Sequence, residues 1–268
     1  MKSVVAFFKL GIVLAVVAMA VSTPQASAQD SALAVKNIIL VHGAWADGSS
    51  WEKVIPRLQA RGYQVTAVQL SLASFEDDVA ITKRAIALED GPVLLVGHSY
   101  GGAVISEAGN DPKVAGLVFV AAFAPDMGES SFSLLQEVPA TPIMNEIRDD
   151  AEGFLKLTGK GISEDFAQQL TPKERDTLFA AQGPTAATAA LGAPVVGSPA
   201  WRTKPDWYIV AADDRTISPA LERTMAQRMG AVTITLPSCH VVMLAQPEEV
   251  TEFIIRAASN DRENQQGR

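Results

Sequence analysis

A chain of 268 residues, 48% hydrophobic and 19% charged, has the ordinary balance of one large globular domain, or of a domain carrying an insertion, with a sizeable core. Its formal charge of −8 argues against a polyanionic partner such as nucleic acid, and with Cys239 as the only cysteine no disulfide can form within the chain. No internal repeat, metal-spaced His/Cys cluster or Gly-x-Gly-x-x-Gly stands out.

Residues 1–28 read as a secretory signal peptide. Lys2 and Lys9 precede the apolar run Leu10 to Val21, and Ala26-Ser27-Ala28 closes it as an Ala-x-Ala cleavage site. The run is short for a bilayer span and no stop-transfer flank follows. The expectation is a cleaved, exported chain, periplasmic or secreted, with no stable membrane association. Losing Lys2 and Lys9 leaves 20 basic against 30 acidic residues.

Asn37 to Val41 is the first strand, apolar almost throughout as a strand covered on both faces should be. It runs into His42-Gly43-Ala44-Trp45. A helix is expected over Ser50 to Arg61 with Gly62 at its end, a strand over Tyr63 to Leu70, and an amphipathic helix over Phe75 to Glu89. Gly91-Pro92 ends that helix and the apolar strand Val93 to Val96 begins. It stops abruptly in Gly97-His98-Ser99-Tyr100-Gly101, a G-x-S-x-G. Turning a strand into a helix with almost no loop strains the central residue, and the flanking glycines remove Cβ atoms that would collide. A helix should follow over Gly102 to Gly109, then a buried strand over Val114 to Ala121. The alternation implies a mostly parallel sheet with helices on both faces.

From Pro125 to about Pro205 the pattern changes to short helical stretches broken by proline and glycine. Helices are expected over Ser130 to Glu137, Ala151 to Leu157, Ser163 to Leu170 and Pro172 to Ala181, forming a cap over the core, since so long a structureless loop is improbable. Strand order resumes with Trp207 to Ala211 and Val232 to Leu236, separated by a helix over Pro219 to Met229 and followed by one over Pro247 to Ala258. The fold class is thus α/β: a central sheet of about six strands, with core segments 36–124 and 206–258, a helical cap at 125–205, and a polar tail at 259–268.

A serine hydroxyl needs an imidazole to take its proton. Of the three histidines, His98 adjoins Ser99 and should point away from it, and His42 in the first turn suits a positioning role. His240, after the last strand, is the base by elimination and by placement. The imidazolium needs a buried anion, for which Asp213 and Asp214 compete; Asp214 is preferred because Asp-x-x-Ile-x-Pro (Asp214, Ile217, Pro219) turns that carboxylate inward and starts the next helix. For an oxyanion the candidate donors are the backbone N–H of Tyr100 and that of Ala44, with Trp45 as the alternative to Ala44. Trp45, Phe123 and Met127 are expected to meet substrate. Phe132, Leu134, Leu135, Phe154, Phe166 and Phe179 add bulk in or near the cap, more of them packing within it than lining the pocket.

With these motifs in order, the chain resembles the α/β-hydrolase superfamily from Lys36 to about Ala258. More narrowly it is similar to small cap-bearing esterases related to plant methyl-ester esterases and hydroxynitrile lyases, through His42-Gly43-Ala44-Trp45, Gly97 to Gly102, Ala122-Phe123-Ala124-Pro125 and Asp214 to Pro219. Lyases of that kind carry lysine directly after the catalytic histidine and threonine at the place of Gly43, whereas Val241 and Gly43 stand here. The resemblance therefore implies a serine carboxylic ester hydrolase that needs no cofactor and acts, as monomer or homodimer, on small apolar or aromatic esters. A carbon–carbon bond hydrolase, a lyase and a non-catalytic ligand-binding homologue are the alternatives.

Overall fold

The computed structural model describes residues 35–261. The expected signal peptide, its cleavage site and most of the polar tail lie outside the described residues. In chain order the elements are β1 (Asn37–Val41), a 3-10 turn (Gly48–Trp51), α1 (Ile55–Ala60), β2 (Gln64–Ala67), α2 (Phe75–Leu88), β3 (Val93–His98), α3 (Tyr100–Ala108) and β4 (Val114–Val120). The cap follows with α4 (Ser131–Leu135), β5 (Ile147–Asp149), β6 (Phe154–Leu157), α5 (Gly159–Gly161) running into a π-turn, α6 (Pro172–Ala181) and β7 (Thr185–Ala186). The core closes with β8 (Asp206–Ala211), α7 (Pro219–Met229), β9 (Val232–Leu236), α8 (Val242–Ala245) and α9 (Pro247–Ala258).

Six strands form one sheet in the order β2-β1-β3-β4-β8-β9, every neighbouring pair parallel. β1, β3 and β8 are buried at every residue, which explains their mostly apolar character. Because all six run the same way, their carboxyl ends share one edge. The segments after β1, β3, β8 and β9 carry Ala44, Ser99, Asp214 and His240, so the sheet direction alone gathers them there. Among the described residues no helix is long and apolar enough to cross a membrane.

Helix boundaries follow local chemistry. Ser74 caps α2 by accepting the Asp77 N–H, and Glu76, Asp77 and Asp78 fill its first turn, where negative charge meets the positive end of the helix dipole. Ser218 and Pro219 start α7, and Gly230, at φ 69°, ends it in the left-handed conformation.

Four expectations need correction. The helix expected over Ser163 to Leu170 is a π-turn, Ile162–Phe166, followed by turns. The helix expected over Ser50 to Arg61 is a 3-10 turn followed by the short α1, because the Pro56 ring would meet the Glu52 carbonyl in a continuous helix. The strand expected to reach Leu70 stops at Ala67, since the Leu70 N–H leaves the ladder and donates to the His42 ring at 2.9 Å. The cap is not wholly helical. Residues expected as a helix over Ala151 to Leu157 form β6, antiparallel to β5 and β7. Leu155 and Leu157 point inward while Lys156 is exposed, a strand's alternation. Asp150 Oδ1 accepts the Glu152 and Phe154 N–H groups, and Gly153 at φ 81° completes the turn into β6.

Candidate active site

Ser99 sits between β3 and α3 at φ 51° and ψ −123°, a conformation that non-glycine residues rarely adopt. Its surroundings force that geometry. The Ser99 N–H donates to the Val120 carbonyl at 3.3 Å, and its own carbonyl accepts from Gly102 and Phe123 N–H groups at 3.0 and 3.1 Å. A Cβ on Gly97 would lie 2.6 Å from the Gly101 carbonyl oxygen, and one on Gly101 would lie 2.6 Å from those of Val41 and His42. The two glycines let the backbones of β1, β3 and α3 converge beneath the serine.

His240 and Asp214 meet in the interior: Nδ1 donates to Asp214 Oδ2 at 2.6 Å, with both side chains fully buried. Asp214 Oδ1 accepts the Thr216 and Ile217 N–H groups at 2.6 and 2.9 Å, which locks the carboxylate toward the histidine. Asp213 faces the other way and accepts from Gln169 Nε2 at 3.0 Å near the surface. His240 Nε2 makes no hydrogen bond, to the Ser99 hydroxyl or to any other described group. The Phe166 ring packs on His240 with centroids 5.1 Å apart.

The other histidines are structural supports. His42 accepts from the Leu70 N–H at Nε2 and meets the Gly43 carbonyl at 2.8 Å through Nδ1, so its proton is on Nδ1. Burial lowers its pKa, in keeping with that neutral form. His98 lies against His240, ring centroids 4.7 Å apart, and its Nε2–H donates to the His240 carbonyl at 3.0 Å. Burial first, and the neighbouring His240 second, hold His98 well below the ordinary imidazole range. Its tie to the His240 loop escaped the sequence; adjacency to Ser99 was the only available signal.

Tyr100 opens α3, where its N–H has no carbonyl to bond. Its phenol donates to Asp78 Oδ2 at 2.9 Å, and Asp78 is itself held by Ser71 and Leu72, so the first turn of α3 is anchored to the start of α2. In the turn after β1, the Trp45 N–H donates to Thr185 Oγ1 at 3.1 Å. That commits Trp45 to the cap and leaves the Ala44 N–H as the donor available from this turn. Thr185, on β7, is a contact that no local pattern in the sequence announced.

An enclosed cleft above Ser99 is lined by Ala44, Trp45, Tyr100 and Phe123 from the core and by Phe132, Leu135, Ile143 and Met144 from the cap. It holds about 20 Å³, room for roughly one water. Trp45 also donates its indole N–H to the Leu155 carbonyl at 3.0 Å, tying the cleft wall to β6. Met127 does not line it. The Asp126 carboxylate takes the Met127 N–H and Gly128 turns the chain at φ 85°, so Met127 stands 65% exposed to solvent. Phe179 is likewise exposed on α6. A wider, open groove of about 840 Å³ runs between α7, β9 and α9, but its Arg223, Gln227, Glu249 and Arg256 lining holds none of the groups gathered at the sheet edge. Among the described residues no His/Cys/Asp/Glu cluster could hold a metal ion.

A family model described as the alpha/beta hydrolase family matches residues 38–253. The chain belongs to the alpha/beta hydrolase family. This hydrolase is 30% identical over 264 residues to a pyrethroid hydrolase of Sphingobium wenxiniae, an alignment covering 87% of this chain and 91% of that protein. It is 25% identical over 244 residues to methylesterase 8 of Arabidopsis thaliana, covering 83% and 89% of the two chains. Among solved structures, a pyrethroid hydrolase from Sphingobium faniae JZ-2 superposes with a TM-score of 0.73 at 27% identity, covering 85% of this chain and 98% of that one.

Proposed function

We propose that this hydrolase cleaves small apolar or aromatic carboxylic esters through an acyl-enzyme on Ser99. The observation that carries the proposal is the buried His240–Asp214 pair, 2.6 Å apart, brought by the ends of β9 and β8 to the edge where the strained elbow lifts Ser99. His240 Nε2 takes the hydroxyl proton as Ser99 Oγ attacks the ester carbonyl, and Asp214 stabilises the imidazolium that forms. The Ala44 and Tyr100 N–H groups hold the negative charge that develops on the carbonyl oxygen. His240 then protonates the leaving alcohol, and water repeats the steps to release the acid. The Ser99 to His240 hydrogen bond forms with substrate in place, as such bonds commonly tighten only in the complex.

The apolar walls of the cleft support an apolar acyl or alkoxy group, and the relatives named pyrethroid hydrolase and methylesterase support ester cleavage. At about 20 Å³ the cleft admits an ester only when Phe132, Leu135 or Met144 moves outward. Val241 after His240 offers no ammonium group for cyanide, which favours hydrolysis over cyanohydrin cleavage. Export to the periplasm or medium belongs to the same proposal and rests on Lys2, Lys9 and Ala26-Ser27-Ala28. The test is labelling of Ser99 by a fluorophosphonate probe, then turnover of p-nitrophenyl esters of increasing acyl length. Ser99→Ala is expected to lose on the order of 10⁶ in turnover. A variant that keeps near-normal turnover removes the mechanism, and so does a wild-type protein that resists the probe.

A further inference from the structure

A second carboxyl group lies beside Asp214. The first turn of α7 carries Glu222 into the interior together with Met225 and Ala226, at i, i+3 and i+4 on the stripe facing β8. Its side chain is wholly buried. Oε2 accepts the Ala211 N–H at 2.8 Å, and the Ala211 carbonyl accepts the Asp214 N–H at 3.3 Å, so one residue's backbone spans the two acids. Oε1 meets no N–H or hydroxyl donor. Through Ala211 the chain sets the Glu222 carboxyl beside the Asp214 loop, and Asp214 is the neighbouring acid that acts on it.

Two neighbouring carboxyl groups in a dry interior cannot both be charged, and the donors around them decide where the proton sits. Asp214 accepts three N–H groups, from Thr216, Ile217 and His240. Glu222 accepts one. The charge therefore rests on Asp214 and the proton on Glu222. Burial, and then the neighbouring Asp214 charge, hold the Glu222 carboxyl well above the usual carboxylate range, against lesser opposing pulls from the Ala211 N–H and the exposed Arg223. On β8 the facing titratable group is Tyr208, whose hydroxyl is committed to the Ala122 carbonyl and whose phenol burial keeps uncharged.

We propose that Glu222 is a positioning residue: a neutral carboxylic acid whose Oε1–H donates to Asp214, fixing the carboxylate's orientation and drawing off part of the negative charge that reaches His240. The proposal rests on the ester-hydrolase reading of Ser99, His240 and Asp214, and its test has an arm that does not. That arm is infrared difference spectroscopy of the whole protein, wild type minus Glu222→Gln, at neutral pH. A carbonyl stretch of a protonated carboxylic acid is expected in the difference. Its absence overturns the proposal whatever the protein hydrolyses.

The second arm is the acid limb of the kcat/KM profile with a p-nitrophenyl ester. Glu222→Gln still accepts from Ala211 and donates to Asp214, so the limb is expected to stay where wild type has it. Glu222→Met fills the space without a donor, so more of the Asp214 charge reaches the imidazole. The limb should then move up by about 0.5–1 pH unit, the worth of one net hydrogen bond. A downward move in both variants would mean that wild-type Glu222 is ionised, and no move in either would mean that it only fills space. Either result overturns the proposal. Should Glu222→Met fail to fold, the infrared arm decides alone.

Discussion

Gly101→Ala adds one carbon at a crowded point of the elbow, and the structure sets the size of the consequence. The new Cβ would stand 2.6 Å from the carbonyl oxygens of both Val41 and His42, whereas a relaxed carbon–oxygen contact is about 3.3 Å. Both obstacles are backbone atoms at the end of β1, so no side chain can swing aside. α3 must withdraw by roughly 0.7 Å, at the cost of about 1–3 kcal/mol usual for overpacking. For a domain of this size each kcal/mol lowers Tm by about 2–4 °C, which predicts a fall of about 4–8 °C for a mid-range cost. The same withdrawal carries Ser99 and the Tyr100 N–H away from the Ala44 N–H. A misplacement approaching 1 Å costs about 10²-fold in turnover. Scanning calorimetry and steady-state rates with a p-nitrophenyl ester measure both effects. Gly197→Ala is the internal control, since a Cβ there meets nothing within 4 Å, and it should stay within about 0.5 kcal/mol of wild type with normal turnover. A Gly101→Ala protein that melts within about 1 °C of wild type and turns over within twofold of it would refute the packing argument.

Asp214→Asn is expected to lower kcat about 10⁴-fold, because an amide at Oδ2 opposes the Nδ1–H tautomer of His240, while Asp213→Asn on the surface leaves kcat near wild type. Equal losses in the two variants would contradict that assignment. His98 is held neutral in the fold, so its proton affinity is lower folded than unfolded. The stability it contributes is present above about pH 6.5 and is lost as pH falls, by roughly 1 kcal/mol down to about pH 5.5. Urea midpoints of wild type and His98→Gln across that interval check this, with the shallower pH dependence expected in the variant. Leu135→Ala should shift the preferred acyl length upward on the p-nitrophenyl series by opening the cleft, whereas Met127→Ala should leave the series unchanged. A change confined to Met127→Ala would place substrate outside the cleft described.

The sheet was the most legible feature of the fold because its signal is repeated and local. Each of Asn37–Val41, Val93–His98 and Asp206–Ala211 carries an apolar run that only double-sided burial explains. The three C-terminal elements Pro219–Met229, Val232–Leu236 and Pro247–Ala258 were also visible at their full lengths, since proline starts both helices and glycine ends the first. The cap was misread where the signal is short. β6 has four residues, too few for alternation to outweigh the helical look of its leucines and lysine, and its partners β5 and β7 are three and two residues long. A strand that brief is stabilised by the pairing it finds, and that pairing spans up to about thirty residues of chain that no window over β6 contains.

The site divides along the same line. Ser99, Asp214 and His240 could be brought together from the sequence because each lies just past the end of a strand, and parallel strands deliver their ends to one edge whatever lies between them. The groups that hold them in place gave no such notice, because their partners come from elsewhere in the chain: His98 on the His240 carbonyl, Thr185 on the Trp45 N–H, Tyr100 on Asp78. Glu222 is the instructive case, since one sign was present in the sequence. It falls on the same helical stripe as Met225 and Ala226, an ionisable group on a face bound for the core. Burying an unpaired charge there would cost more than a domain of this kind can absorb, so a carboxyl in that register must either find a cation or keep its proton. With Arg223 exposed to solvent and the neighbouring Asp214 itself an acid, the fold leaves it the second course.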